Sequence, residues 1–240
     1  MGWAALAAMA ITQVASAKAG HLILFTWLIV AALTISSVSF TAVRAGWRRA
    51  LAAAGVVAAL GLAAEWSGTS TGFPFGGYHY AGVLRPTIGP VPLLVPLAWA
   101  AMGLPGYAVG RAITRHRAGQ LLAGALALTA WDLFLDPQML RNGFWSWAHP
   151  GPYQGVPLTN FAGWLFVSAL VMAACAALLG PGQPYRGLLA GYTVLAVMET
   201  VAFAAVFPDG RTIALAGGLG MAIPATVAWA RAGRDRAADG

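Results

Sequence analysis

The stretch AGQLLAGALALTAWDLFLDP, residues 118–137, is apolar over the length of a membrane crossing yet closes on two aspartates. About 20 residues of helix span the roughly 30 Å of hydrocarbon in a bilayer, and residues 118–136 supply that length with no charge before Asp132. A carboxylate at the end of such a segment is costly to keep ionised, so it calls for a partner or a task. Glu65 and Glu199 sit the same way in other apolar runs, which puts four of the seven acidic residues in or at the ends of such segments.

Working outward, comparable runs fall at 1–17, 21–43, 50–66, 89–110, 156–179, 188–207 and 212–230. They predict an all-α, polytopic membrane helix bundle of eight transmembrane helices. Seven is the alternative count, because the first run is short and contains Thr12, Gln13 and Ser16. Barrel strands do not fit runs this long and this uniformly apolar. Composition agrees: 59% of the 240 residues are hydrophobic and 9% are charged, against about 25% charged in soluble domains. No polar stretch is long enough for a second domain, so a single transmembrane domain over 1–240 is expected. The first run lacks a convincing cleavage site and reads as a retained helix. The sole cysteine, Cys175, excludes an intrachain disulfide and a cysteine metal cluster. The net charge of +7 is spread thinly, with no run of four basic residues, which argues against nucleic-acid binding.

The connections carry their charge on alternate sides. One side receives Arg44, Arg48, Arg49, Arg111, Arg115, Arg117, Arg186, Arg231, Arg234 and Arg236; the other receives Lys18, Arg85, Arg141 and Arg211. Ten against four predicts a multi-pass protein of the cell membrane, as in a bacterial inner membrane, with both termini cytoplasmic. The two longest connections, 67–88 and 137–155, fall on the outer side. Their glycines, prolines and aromatic rings predict re-entrant or interfacial loops folded over the bundle.

Asp132 and Asp136 are four residues apart and share one face of a continuous helix. Two carboxyls so placed should not both ionise, leaving one as an acid near neutral pH. Pro137 is expected to end the helix at Asp136. A purely structural use stays open, with one Asp tying down the 138–142 turn and the other pairing with Arg141. Glu65 precedes a glycine-rich loop that lacks the lysine and preceding strand of a phosphate loop. His79, between Tyr78 and Tyr80, is either a proton relay or an interfacial residue, and His149 is a weaker version of the same choice. Asn160 is an amide partner for a carboxylate or water, or a helix cap with Thr159. Glu199 either locks two helices or takes part in function. No DDxxD-like or HxxxH array is present, so no metal is expected.

An acid in an apolar, aromatic-lined cleft is equipped to protonate an alkene. The resulting tertiary cation would be stabilised by aromatic faces and quenched by a held water. An enzyme acting on a membrane-dissolved lipid, a transporter or channel, and a structural membrane protein all remain open on these residues alone.

Glu65 with Thr71-Gly72-Phe73-Pro74-Phe75-Gly76-x-Tyr78-x-Tyr80, then Trp131-Asp132-Leu133-Phe134-Leu135-Asp136-Pro137-Gln138-Met139, resembles the integral-membrane carotenoid biosynthesis family. Gly143-x-Trp145-x-Trp147, Tyr153-x-Gly155-Val156-Pro157-Leu158 and Asn160-Phe161-x-Gly163-Trp164 continue the likeness, which is detailed over about residues 55–170. The family includes carotenoid hydratases, which add water to the terminal double bond of an acyclic C40 or C50 carotenoid without a cofactor. The resemblance therefore implies hydro-lyase chemistry, with Asp132 or Asp136 as general acid and Glu65 holding or deprotonating water. It implies Tyr78, His79, Tyr80, Trp131, Trp145, Trp147, Asn160 and Trp164 as substrate-contacting residues. The expected partners are a membrane-dissolved carotenoid, lipid and other carotenoid-pathway enzymes. A cofactor-independent lycopene-type cyclase and a non-enzymatic carotenoid-binding protein or transporter are the alternatives.

Overall fold

The computed structural model of the chain describes residues 1–17, 22–180 and 186–238. Lys18 and the side chain of Arg236, both used in the charge argument, lie outside the described residues. The described chain folds into eight helices: α1 Gly2–Ser16, α2 Leu22–Ala45, α3 Trp47–Thr71, α4 Leu94–Ile113, α5 Arg117–Arg141, α6 Leu158–Leu179, α7 Arg186–Ala205 and α8 Arg211–Ala238. Six of them, all but α1 and α4, are long and apolar enough to cross a membrane. Leu24, Leu28, Leu122, Leu126, Phe166 and Leu219 stand exposed on their outer faces. An apolar belt of that extent suits lipid rather than water. The chain is a polytopic, multi-pass membrane helix bundle.

α4 is the central helix and packs against α2, α3, α5, α6, α7 and α8. Residues 99–110 are buried without a break. The sequence there is rich in Gly and Ala, which lets neighbouring backbones close in. Gly110 illustrates this, because a Cβ there would come 2.2 Å from the Gln120 carbonyl oxygen on α5. The Gly106-x-x-x-Gly110 pair thus serves a contact within the chain.

Most of the basic residues lie at one end of the bundle, with Arg85, Arg141 and Arg211 at the other. Arg111 Nη1 donates to the Gly180 carbonyl beyond α6 at 3.1 Å, and Arg186 Nη2 to the Ala232 carbonyl of α8 at 2.8 Å. At the other end, the two long connections are not wholly helical. Four short strands form there: β1 Tyr78–Tyr80, β2 Thr87–Ile88, β3 Val91–Pro92 and β4 Trp145–Trp147. β1 pairs antiparallel with β4, matching Tyr78 with Trp147, His79 with Ser146 and Tyr80 with Trp145. β2 pairs with β3 in a tight turn.

The helix that carries the two aspartates does not end at Asp136. α5 runs through Pro137 to Arg141. A proline inside a helix removes the N–H that would bond to the carbonyl four residues earlier, which here is Leu133. The Tyr153 hydroxyl donates to that carbonyl at 2.9 Å. A side chain from the following loop replaces the missing backbone donor, and the helix continues.

Candidate functional site

Because α5 is continuous past Asp136, both aspartates face α6 from one side of the helix. Asp132 is 0% exposed and Asp136 3%. Asn160, in the first turn of α6 and 1% exposed, donates Nδ2 to Asp132 Oδ2 at 2.7 Å and also to Asp136 Oδ2. Asp132 Oδ1 is buried with no donor opposite it. Two carboxyls therefore share one amide. Arg141 takes no part; its guanidinium donates to the Pro208 carbonyl at 2.5 Å. Asn160 is not a helix cap, since Pro157 occupies the N-cap of α6.

Glu65, near the end of α3, has a different setting. The Tyr80 hydroxyl donates to its Oε2 at 2.6 Å, the Tyr78 hydroxyl donates to the same oxygen, and Trp99 Nε1 donates to Oε1 at 3.1 Å. Three neutral donors converge on one carboxyl. Burial, followed by the nearby Glu65 charge, pushes both Tyr78 and Tyr80 above the ordinary phenol range. Both stay protonated and remain donors.

Aromatic rings close the space between the two acidic groups. Trp99 and Trp164 stack with centroids 4.2 Å apart, and Trp131 meets Trp164 edge-on at 6.1 Å. The β1–β4 ribbon supplies the other wall, with Tyr78 against Trp147 at 5.0 Å and Tyr80 edge-on to Trp145 at 5.7 Å. Glu65, Asp136, Tyr78, Tyr80, Trp131, Trp145, Trp147, Asn160 and Trp164 all line one cavity, in which the centres of water-sized spheres have about 30 Å³ of room. That volume admits a water or two.

Two of the expected residues stand apart from the lining. Asp132 lies behind it, reached through Asn160. His79 is on the exposed face of the ribbon, where its Nε2 is 3.0 Å from Ser146 Oγ. Strand geometry accounts for the position of His79: successive side chains point to opposite faces, so placing Tyr78 and Tyr80 inward turns His79 outward. His149 is also exposed. Trp99 belongs to the site but is not distinguishable in the sequence, where it is one aromatic in an apolar run. Its partner Glu65 was the only pointer. Among the described residues no group of three or more His, Cys, Asp or Glu side chains could hold a metal ion.

The fold and the site define an integral membrane protein whose buried acids face an aromatic chamber at one end of the bundle. Residues 18–230 match the family described as "Carotenoid biosynthesis protein", and the chain belongs to that family. Over 113 residues, 45% of this chain, it is 33% identical to the bisanhydrobacterioruberin hydratase of Haloarcula japonica. The matched stretch covers 38% of that relative's length. No solved structure matches the chain.

Proposed function

We propose that this chain is a carotenoid hydratase, adding water across the terminal double bond of an acyclic carotenoid by acid-initiated carbocation chemistry. The observation that carries the reading is the division of hydrogen-bond donors across one aromatic cavity. Three donors serve Glu65, whereas Asp132 and Asp136 share the Asn160 amide and Trp145 adds a bond to Asp136 alone. A carboxyl given three donors can hold a negative charge away from water; two adjacent buried carboxyls that share an amide hold a proton between them.

In this reading Asp136, which lines the cavity, gives its proton to the less substituted carbon of the terminal alkene, and Asp132 behind it steadies the acid. A tertiary cation forms between the faces of Trp131, Trp145, Trp147 and Trp164, where ring quadrupoles stabilise it. Water then forms the carbon–oxygen bond and one of its O–H bonds breaks, with the proton passing to Glu65. A weakly basic carboxylate suffices, because water bound to a cation is strongly acidic. The products are the tertiary alcohol and, after the proton returns to the Asp pair, the starting enzyme. The proposed topology is eight crossings, with α1 and α4 completing the set and both termini cytoplasmic. The name of the curated relative supports hydration.

The test supplies an acyclic carotenoid to cells carrying Asp132→Asn or Asp136→Asn and measures product mass and protein amount together. Asp136→Asn is expected to abolish a product 18 mass units (about one water) heavier while protein accumulates normally, a loss in the range of about 10²–10⁴-fold for removing a general acid. Full turnover in both variants would remove the proposed acid. A wild-type product of unchanged mass and altered absorption would instead mark a cyclase, and unaltered substrate a binding protein.

A further inference from the structure

A second cavity lies on the other side of Trp131. Its walls include Ala98, Trp131 and Leu135, all three of which also line the first cavity. Water-sized spheres have about 90 Å³ of room in it, three times that of the first. Gln13, Ser16, Gln138, Asn142 and Glu199 are among the polar and acidic side chains that line it.

Gln13 Nε2 donates to Glu199 Oε1 at 3.0 Å, joining α1 to α7. A lock between two helices needs no more than that bond. Yet Glu199, 6% exposed, keeps Oε2 buried without a partner, and Gln13 Oε1 is buried without one too. Leaving two acceptors unpaired in an apolar interior is costly. Both would be met by a molecule that donates two hydrogen bonds and fits the space, and water is that molecule. Carboxyl groups inside membrane bundles face either the bundle interior or a water-filled cavity, and Glu199 lines a cavity.

We infer that the Gln13–Glu199 cavity is the water store that feeds the carbocation chamber past Trp131, with Gln13 and Glu199 as the positioning residues. This rests on the hydration reading above. The reacting cavity has room for a water or two and becomes crowded by any polyene tip, so the nucleophile must arrive from an adjacent space. The partition formed by Ala98, Trp131 and Leu135 is where the two spaces meet.

The experiment uses the full chain in membranes, an acyclic carotenoid and D2O, with mass spectrometry of both the recovered alkene and the alcohol. Protonation delivers deuterium to carbon. The cation then either takes water, giving labelled alcohol, or loses a proton from a flanking carbon, giving labelled alkene. In Glu199→Leu and in Gln13→Leu the ratio of labelled alkene to alcohol is expected to rise about tenfold, the worth of one lost buried hydrogen bond. Glu199→Gln, which keeps a polar end, should restore most of the wild-type ratio. Because a ratio is independent of protein amount, partial misfolding does not mimic the result, and the half-buried Gln13 offers a milder site should Glu199→Leu fail to fold. An unchanged ratio in both leucine variants, or equal loss of both labelled species, overturns the water store while leaving hydration intact. No deuterium in either species from the wild type overturns the hydration reading and this inference with it.

Discussion

Asn160 is the residue on which the acid cluster turns. One amide nitrogen meets both aspartates, so Asn160→Leu removes the donor that the two buried carboxyls share. Activity per unit protein is expected to fall by about 100-fold. A variant that keeps wild-type turnover would separate the cluster from catalysis. Tyr78 and Tyr80 give a pH signature. Burial first, then Glu65, raises both phenols in the folded state. A raised folded value means that the protonated phenol contributes stability below the ordinary phenol pKa of about 10, and that this contribution is lost as pH rises beyond it. Melting of the wild type should therefore show an added decline above about pH 10. The double variant Tyr78→Phe, Tyr80→Phe should lose less over the alkaline range; identical alkaline losses would mean that the two phenols ionise freely.

α5 carries a proline in its helical body because Tyr153 stands in for the missing donor. Tyr153→Phe should cost on the order of 1 kcal/mol of stability and lower activity by loosening the turn that holds Asp136. A thermal shift with no loss of turnover would show that the last turn of α5 does not position the acid. α3 offers a second lever. A Cβ at Gly61 would come 2.5 Å from the Trp99 ring, so Gly61→Ala must displace the tryptophan that donates to Glu65. Turnover is expected to fall about tenfold in Gly61→Ala, the equivalent of one lost hydrogen bond, while Ala substituted at the unobstructed Gly55 should change little. The helices themselves were legible from apolar runs, though α3, α5 and α8 outrun those limits by several residues. In α3 the extension is polar, and Thr69 and Thr71 hydroxyls bond back to the Glu65 and Ser67 carbonyls of their own helix. The acid cluster was legible because buried carboxyls and amides are rare in apolar segments. Trp99 was not, since an aromatic in a core helix has no mark of its own. The outward position of His79 was not legible, because the alternation of a three-residue strand is set by pairing with β4, which local sequence does not reveal.

For the whole molecule, the proposed orientation can be read with single cysteines, because Cys175 is 0% exposed and should stay silent. A membrane-impermeant maleimide applied to intact cells is expected to label Ser146→Cys, on the strand ribbon, and to spare Arg49→Cys at the basic end. The opposite pattern would invert the topology. The sheathed position of α4 also bears on how the chain is made. Helices that end up facing lipid can partition from the translocon singly, but α4 acquires its surroundings only when α5 to α8 have followed it. A nascent chain stopped at His116 should hold α2 and α3 in the bilayer while α4 slips back out, so biogenesis of this protein would depend on late segments rescuing an early one.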